Sequence, residues 1–598
     1  MLKKILLPTA LLILAYGFWV SPNFKIISAG VAIFLFGMLS LEEGFKAFSG
    51  GMLERILEKS TDKIYKSIGF GIISTTIMQS SSLVSILTIS FLGAGLIGLT
   101  QGIGIIFGAN LGTTTGAWLI AGFGVKINIA SYAMPMLVFG VILILQKSKS
   151  LKGMGYILAG LGFLFLGIHY MKEGFETLKD TIDLATLSID GVKGLLIFTL
   201  VGVFATVVMQ SSHATLVLII AALSTGQISY ENALALAIGA NIGTTITAIL
   251  GAMSSNISGK QLALAHLIFN GVTAIIALSF IHQLIYLVDY LSIFLGIAED
   301  DYSLKLAVFH TIFNLIGVLV MIPFIPKLVI FLEKTLKPKV NDQYKAIYLN
   351  SSVLALPSTS IVAIVNETKH LYSNAFEIIS HGLNLKRENI ISTMSFDNVI
   401  KESYHENIDI DACYKERIKG IYGEIIEFAT KAQTNMETLT NIERLYNLKL
   451  ACRDIVEAIK DTKHLQKNLL KYTNSKNRHI QKEYNQIRKG LAELLRNIDI
   501  ISKTKAVDEA LVLLAKAKVQ LERYDILANG TIDRLIRGDL ITDEMATSLM
   551  NDNAYAYDIS RNLITMTEII FHNDNQSLQE EMKLDDDDIA QILDKKDK

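Results

Sequence analysis

Two short stretches of this chain share one polar motif: Thr75–Ser82 reads TTIMQSSS and Thr206–His213 reads TVVMQSSH. The first copy lies inside a run from Ser67 to Val125 that contains no charged residue. Hydrogen-bond partners are scarce in such a run, and non-helical backbone survives in a membrane only where protein or a wet cavity surrounds it. The repeated Gln-Ser-Ser therefore predicts a helix break that lines a polar site inside a membrane domain.

Two further blocks recur in the same order as the motif. FLFGMLSLEEGFKAF, around residues 37–48, resembles FLFLGIHYMKEGFETL, around residues 167–178. Gly108–Thr114 (GANLGTT) likewise resembles Gly239–Thr245 (GANIGTT). The Gln of the motif and the Asn of the last block are 31 positions apart in both copies. This conserved order and spacing predict an internal duplication.

The composition divides the chain near residue 340. The chain has 598 residues, of which 51% are hydrophobic and 19% are charged. Residues 1–340 carry 21 Lys/Arg and 16 Asp/Glu, whereas the rest carries 34 and 40. We therefore predict a membrane domain over 1–335, a soluble helical domain over 340–585 and an acidic tail over 586–598. The net charge of −1 gives no reason to expect binding of nucleic acid.

Apolar stretches of about 20 residues are long enough for a helix to cross a bilayer. Segments 66–97 and 194–225 are also apolar, but Gln-Ser-Ser interrupts each of them, so we predict re-entrant hairpins there. Repeat one then covers about 25–146 and repeat two about 151–288, with extra spans at 5–20 and 304–332. The predicted crossings lie at 5–20, 25–45, 100–124, 127–146, 151–170, 230–253, 261–288 and 304–332.

Basic residues orient this arrangement, because cytoplasmic loops carry an excess of Lys and Arg. The basic segments 3–4, 46–66, 146–152 and 334–339 fall on one side, which we assign to the cytoplasm. No small-x-small cleavage signal follows residues 5–20, so this stretch is interpreted as a retained span. Both termini are then cytoplasmic, in an inner (plasma) membrane. The expected fold class is all-α: a polytopic membrane protein of two inverted repeats with re-entrant hairpins, plus a soluble helical bundle.

A helix that breaks at mid-depth exposes N–H groups, which attract anions, and C=O groups, which coordinate hard cations. Ser hydroxyls and the Gln amide donate and accept hydrogen bonds, so they serve either kind of ion. Helix packing by small residues is the alternative for a single Ser-Ser, but two inverted, equally spaced copies favour a substrate site. No Lys or Arg lies in 67–125 or 194–259. A buried anion there requires a companion cation, so we expect coupled symport.

These motifs resemble the bacterial Na/Pi-cotransporter family, which is related to the animal type II sodium-phosphate cotransporters. The resemblance covers roughly residues 25–330. It implies sodium-driven movement of inorganic phosphate across the lipid bilayer by alternating access, with sodium as the coupling ion and no other cofactor. The substrate and ion site that it implies consists of Gln79, Ser80, Ser81, Ser82, Asn110, Thr113, Thr114, Gln210, Ser211, Ser212, His213, Asn241, Thr244 and Thr245.

One position departs from that family, which often has a third Ser where this chain has His213. The sequence leaves three roles open for it: a neutral donor to phosphate, a group that titrates near physiological pH, or a packing residue. A further echo, AHLIFN (Ala265–Asn270) and FHTIFN (Phe309–Asn314), places a His and an Asn four positions apart on one helix face. Structural hydrogen bonding between helices is the favoured interpretation of this echo.

The soluble part shows helical periodicity and is similar to PhoU, a helical regulator associated with phosphate uptake. PhoU-like repeats often carry Glu-x-x-x-Asp clusters that bind metal ions. Glu457 and Asp461 keep that spacing and are the candidate ligands, but the second cluster has Ala554 in place of its Glu. A solvated helix face is therefore the favoured interpretation.

A secondary transporter is the leading hypothesis. An anion channel, a phosphate-binding membrane sensor and a phosphate exporter are the alternatives. An enzyme is not expected, because the membrane half has no carboxylate pair, metal cluster or activated nucleophile. The sequence is compatible with a homo-oligomer and does not determine the direction of transport.

Overall fold

The computed structural model describes residues 2–49, 63–124, 130–179, 189, 191–337, 344–402, 408–436, 438–504, 507–523 and 530–571. Regular structure in these ranges is helical and includes no strand, so the predicted all-α class is confirmed. The chain divides into two compact units, Met1–Pro338 with Asn350–Ser358 and Lys339–Leu349 with Thr359–Lys598. The predicted acidic tail at 586–598 lies outside the described residues.

The first unit consists of apolar helices. Their bounds are α1 (Leu2–Val20), α2 (Pro22–Ser49), α3 (Ile64–Met78), α4 (Ser81–Gly93), α5 (Leu99–Leu119), α6 (Ala130–Ile144), α7 (Lys149–Lys179), α8 (Gly191–Met209), α9 (Ser212–Ser224), α10 (Tyr230–Met253), α11 (Ile257–Ser279), α12 (Ile281–Phe294), α13 (Tyr302–Met321) and α14 (Ile325–Thr335). Seven helical stretches in the described part of the chain are long and apolar enough to cross a membrane. They include α5, α7 and α10.

Large apolar side chains cover the outside of this unit. Trp19, Tyr132, Phe204 and Ile275 are all largely exposed. Soluble proteins rarely expose so many large apolar side chains, whereas lipid contact accounts for them. The unit is a multi-pass membrane domain.

Two predicted crossings are divided in the structure. Segment 261–288 is split between α11 and α12, because the backbone of Phe280 leaves the helical region (φ −115°, ψ 26°). Phe280 is an ordinary apolar residue, so the sequence carries no signal for this break. Segment 304–332 contains a short 3-10 turn, Ile322–Phe324, between α13 and α14. Pro323 in this turn lacks the N–H group that a continuous α-helix needs.

Helices α2 and α7, which carry the repeated LEEGF and MKEGF sequences, pack closely along a row of glycines. A Cβ on Gly37 would lie 2.7 Å from the Gly160 carbonyl oxygen, and one on Gly30 would lie 2.9 Å from the Gly167 carbonyl oxygen. Residue numbers rise along α2 as they fall along α7, so the two equivalent helices are antiparallel. Because equivalent elements run in opposite directions, the predicted inversion of the repeats is confirmed.

The hairpin in repeat one follows from the packing of α3 on α5. A Cβ on Gly108 would lie 2.0 Å from the Ile68 carbonyl oxygen, and one on Gly112 would lie 2.6 Å from that of Ile72. Residue numbers rise together along both helices, so α3 and α5 are parallel. The intervening helix α4 must therefore run back toward the end at which α3 starts.

Repeat two repeats this arrangement with α8 and α10. A Cβ on Gly239 would lie 2.0 Å from the Thr199 carbonyl oxygen. Thr206 Oγ1 in α8 also donates to Thr215 Oγ1 in α9, at 2.8 Å, across nine positions of sequence. Such a contact requires the chain to turn back between the two helices. The predicted hairpins at 66–97 and 194–225 are confirmed as chain reversals.

The second unit is a bundle of amphipathic helices. Its elements are α15 (Pro357–Gly382, of which the first two residues belong to the first unit), α16 (Arg387–Ile391), α17 (Phe396–Lys401), α18 (Ile410–Arg417), α19 (Lys419–Gln433), α20 (Leu439–Thr473), α21 (Arg478–Lys503), α22 (Val507–Arg523), α23 (Thr531–Arg537) and α24 (Asp543–Ile570). Helices α20, α21 and α24 are neighbours, because the rings of Tyr472 and Tyr484 lie 5.0 Å apart and the Tyr484 hydroxyl donates to Asp552. The helical bundle predicted from periodicity is confirmed.

Candidate functional site

Both Gln-Ser-Ser motifs are helix breaks. Gln79 ends α3 and Gln210 ends α8, each in the left-handed region with φ of 52°. Ser80 and Ser211 cap the next helices: each hydroxyl oxygen accepts a hydrogen bond from the backbone N–H three residues later, at 3.2 and 3.1 Å. These caps satisfy one otherwise unpaired donor at each helix start. The breaks expected from the sequence are confirmed.

The amide of Gln79 is oriented by α5. Its Nε2 donates to the Thr76 carbonyl oxygen at 2.6 Å and to Thr115 Oγ1 at 3.3 Å. The amide oxygen Oε1 therefore faces away from these two acceptors. Gln79 is half-buried, whereas Gln210 is exposed. The two copies of the motif thus differ in their surroundings although their backbones match.

Ser82 of repeat one contacts repeat two. Its Oγ lies 3.2 Å from Thr247 Oγ1 on α10. Thr247 uses its single hydroxyl proton to donate to the Thr244 carbonyl oxygen, at 2.7 Å, so Ser82 is the donor in the pair. The Ser82 oxygen keeps its lone pairs for another partner.

His213 of repeat two contacts repeat one at the equivalent place. The shift of 131 positions that superposes the two motifs takes Ser82 to His213 and Gly116 to Thr247. A Cβ on Gly116 would lie 2.1 Å from His213 Nε2 and 3.0 Å from Gln79 Oε1. The imidazole therefore fills space that a threonine at position 116 would need. Both motifs flank this one residue of α5.

Asn110 and Asn241 are hydrogen-bonded to histidines of neighbouring helices. Asn110 Nδ2 lies 3.2 Å from His266 Nε2 on α11, and Asn241 Oδ1 lies 3.2 Å from His310 Nε2 on α13. Asn241 Nδ2 also donates to Asn314 Oδ1 at 2.8 Å. The interhelical hydrogen bonding expected for AHLIFN and FHTIFN is confirmed.

Most remaining predicted site residues lie on the same helices. Ser81 and Ser212 are buried in the first turns of α4 and α9. The hydroxyls of four threonines donate to carbonyl oxygens three or four residues earlier in their helices, which engages the proton and leaves lone pairs. These are Thr113, Thr114, Thr244 and Thr245. Direct ligand contacts by any predicted site residue stay a prediction.

Several buried polar atoms of the membrane unit have no hydrogen-bond partner among the described residues. Three of them are Thr75 Oγ1, His213 Nε2 and Asn270 Oδ1. Buried polar groups are nearly always paired, so an unpaired one calls for a specific explanation, such as an ion or ligand that it binds. His213 Nε2 is notable because it points at the place where both motifs meet.

The sequence reasoning did not single out Gly116, Thr115 or Thr247. The sequence does point to Gly116 and Thr247, because the shift of 131 positions makes them equivalent although they are different residue types. Matching only identical residues conceals such pairs. Thr115 lies next to the predicted Thr114, but its equivalent in repeat two is Ile246, so the repeat gave no signal for it.

One of the two candidate metal ligands of the second unit is engaged in an ion pair. Glu457 Oε1 accepts a hydrogen bond from Lys460 Nζ at 2.8 Å. Burial, with Asp558 and Glu457 nearby, raises the pKa of Asp461 to about 6. Within the described ranges no group of three or more His, Cys, Asp or Glu could hold a metal ion. The metal role of Glu457 and Asp461 stays a prediction, as does the resemblance of this unit to PhoU.

Comparison with known proteins concerns the membrane unit. The Na+/Pi-cotransporter family model matches residues 33–173 and 185–299. YjbB of Salmonella typhimurium (strain LT2), described as a candidate inorganic phosphate export protein, is 28% identical over 274 residues, 44% of this chain and 48% of the relative. YjbB of Escherichia coli (strain K12), with the same description, is 28% identical over 265 residues, 43% of this chain and 46% of the relative.

The uncharacterized protein YqeW of Bacillus subtilis (strain 168) is 29% identical over 257 residues, 42% of this chain and 81% of the relative. The chain spans about half the length of the two phosphate-export relatives that it matches. No solved structure matches the chain. The matched residues contain both Gln-Ser-Ser breaks, both Gly-Ala-Asn-x-Gly-Thr-Thr segments and most of the antiparallel helices α2 and α7. Over these residues, the membrane unit is similar to the Na+/Pi-cotransporter family.

Proposed function

We propose that this chain is a sodium-coupled transporter of inorganic phosphate that works by alternating access. The observation that carries the proposal is the meeting of the two inverted motifs, through Ser82 with Thr247 and His213 with Gly116. A site shared between inverted repeats is typical of secondary transporters, whose repeats move relative to one another around it. The family and the description of the export relatives support phosphate as the substrate.

Electrostatics supports sodium as the coupling ion. No charged side chain lies between Lys66 and Lys126, and Glu231 is the one charged residue between Lys193 and Lys260. Helix N-termini offer only partial positive charge to a phosphate ion. A co-bound cation supplies the remaining positive charge that the phosphate ion needs. Hydroxyl and amide oxygens without carboxylates suit a monovalent hard cation better than a divalent one.

The unequal burial of the two breaks supports alternating access. Gln210 is exposed, whereas Gln79 is half-buried and hydrogen-bonded to α5. A transporter built from inverted repeats has a second state in which the two copies exchange environments. Substrate and sodium shift the balance between the states by binding each with different affinity. This chain would then present its site to one side of the membrane at a time.

The proposal includes the location of the protein, the orientation of its termini and the role of its helical unit. The charge distribution of the loops supports an inner (plasma) membrane protein with both termini in the cytoplasm. The helical unit would then regulate transport from the cytoplasmic side, as its resemblance to PhoU suggests. The export relatives make outward movement of phosphate an alternative direction.

Uptake of radiolabelled phosphate into proteoliposomes tests the proposal. Purified protein is reconstituted, and an inward sodium gradient is compared with a choline gradient. We expect saturable accumulation above the equilibrium level with sodium and not with choline. Equal uptake in both conditions would contradict sodium coupling, and no phosphate movement in either would contradict phosphate transport.

The same vesicles separate the alternatives. A channel would equilibrate phosphate without accumulating it against its gradient. A sensor would bind radiolabelled phosphate without flux. Vesicles loaded with phosphate, under an outward sodium gradient, measure export.

A further inference from the structure

The two repeats of the membrane unit have equivalent helix breaks, but the side chains that meet across the repeats differ. In one half, Ser82 and Thr247 bring two hydroxyl groups together at 3.2 Å. In the other half, the equivalent positions are His213 and Gly116. A large residue has replaced a small one on α9, and a residue without a side chain has replaced a threonine on α5. The larger side chain at position 213 is compensated by the missing side chain at position 116, so the two positions depend on each other.

This compensation changes the chemistry of that half of the site. Two hydroxyls both donate and accept hydrogen bonds, whereas a neutral imidazole with its proton on Nε2 presents a donor there. His213 is 5% exposed, and its Nε2 has no hydrogen-bond partner among the described residues. A packing role alone would leave this polar atom buried and unpaired, which costs free energy.

The surroundings of His213 favour an anion as the missing partner. His213 lies in the first turn of α9, where backbone N–H groups and the helix dipole attract negative charge. No Lys or Arg lies within 194–259 to compete for that anion. Gly116 makes room for the imidazole because it contributes no side chain of its own.

We propose that His213 Nε2–H donates a hydrogen bond directly to the transported anion, so that the two halves of the site are chemically different. The inference rests on the proposed function and deepens it. His213 is then a specificity residue for the oxyanion, whereas the equivalent place in the other half keeps two hydroxyls, those of Ser82 and Thr247.

Two variants of nearly equal size separate hydrogen bonding from packing. His213→Leu removes the donor, whereas His213→Gln keeps an N–H group near the position of Nε2. Each is reconstituted beside the wild type in proteoliposomes. The KM for phosphate is measured at saturating sodium, and half-saturation by sodium is measured at saturating phosphate. Size-exclusion profiles check folding, and His213→Met serves as the donor-free variant if His213→Leu is not monodisperse.

We expect the donor-free variant to raise the phosphate KM about tenfold or more, because hydrogen bonds to charged groups are the strong ones. His213→Gln should recover most of that loss, and half-saturation by sodium should move about twofold or less in both. A donor-free variant with the phosphate KM of the wild type, or equal losses in both variants, would overturn the inference alone. No sodium-driven phosphate uptake by the wild type would reject the proposed function, and this inference with it.

Discussion

Ser82 Oγ and Thr247 Oγ1 lie 3.2 Å apart, although they belong to oppositely oriented halves of the membrane unit. The contact joins the first turn after one helix break to the helix that carries the Gly-Ala-Asn-x-Gly-Thr-Thr segment of the other repeat. The equivalent contact joins His213 to Gly116. The two motifs therefore meet within the membrane unit, where the two repeats contact each other.

The fit between His213 and Gly116 predicts a strong coupling between these positions. Gly116→Ala places a Cβ 2.1 Å from His213 Nε2, which forces the ring or α5 to move. We expect this variant to lower the free energy of unfolding by about 1–3 kcal/mol. In a His213→Ser background the same change should cost about 0.5 kcal/mol or less, because the ring is gone. Thermal unfolding in detergent of the wild type, the two single variants and the double variant measures this double-mutant cycle. An equal loss in both backgrounds would disprove the coupling.

The glycine row between α2 and α7 predicts that a single methyl group destabilises the membrane unit. In Gly37→Ala the new Cβ would lie 2.7 Å from backbone atoms of Gly160 and Leu164. We expect a loss of about 1–3 kcal/mol, since backbone cannot yield as a flexible side chain does. Gly271→Ala on α11 is the matched control, because nothing lies within 4 Å of its Cβ position. Melting temperatures that fall equally in both variants would argue against the tight packing of α2 on α7.

Asp461 predicts a pH-dependent stability of the helical unit. Its pKa is raised from 3.8 to about 6 in the folded chain, chiefly by burial. The folded state thus holds the proton more tightly than the unfolded state, so stability from this group is present below pH 4 and is lost as pH rises through 6. Asp461→Asn should therefore stabilise the unit at pH 7–8, by about 1 kcal/mol because the carboxyl is partly solvated.

The measurement for Asp461 is thermal unfolding of the full chain in detergent between pH 4 and pH 8. The wild type and Asp461→Asn should have nearly the same melting temperature at pH 4 and separate as the pH rises. A difference that is constant across this range would show that the carboxyl does not titrate as its surroundings imply.

Much of the fold was predictable because the duplication is recognisable from the repeated motifs and from the equal distance between them. The glycine blocks, the charge-free runs and the basic loops predict inverted repeats and hairpins, and the antiparallel pair α2–α7 confirms the inversion. The break at Phe280 was not predictable, because this residue has the same apolar character as its neighbours. Its conformation depends on tertiary packing.

The helix breaks of the candidate site were predictable from the sequence, whereas the side-chain contacts between the repeats were less so. Gln79 and Gln210 adopt positive φ, and the following serines cap helices, as a short polar motif between apolar runs predicts. The partners Thr247 and Gly116 were missed, because their importance arises only when opposite repeats fold together. Contacts of this kind are recognisable from sequence only when unlike residues at equivalent positions are compared.

The central claim is that both inverted motifs serve one phosphate and sodium site. It is tested most directly by sodium-driven uptake of radiolabelled phosphate into proteoliposomes, with wild type, Gln79→Ala and Gln210→Ala at equal protein amounts. Gln146→Ala is the matched control, because this exposed glutamine lies just beyond α6 and outside both motifs. We expect both motif variants to lose most sodium-dependent uptake and the control to keep it. Full uptake by Gln79→Ala and Gln210→Ala would contradict the claim.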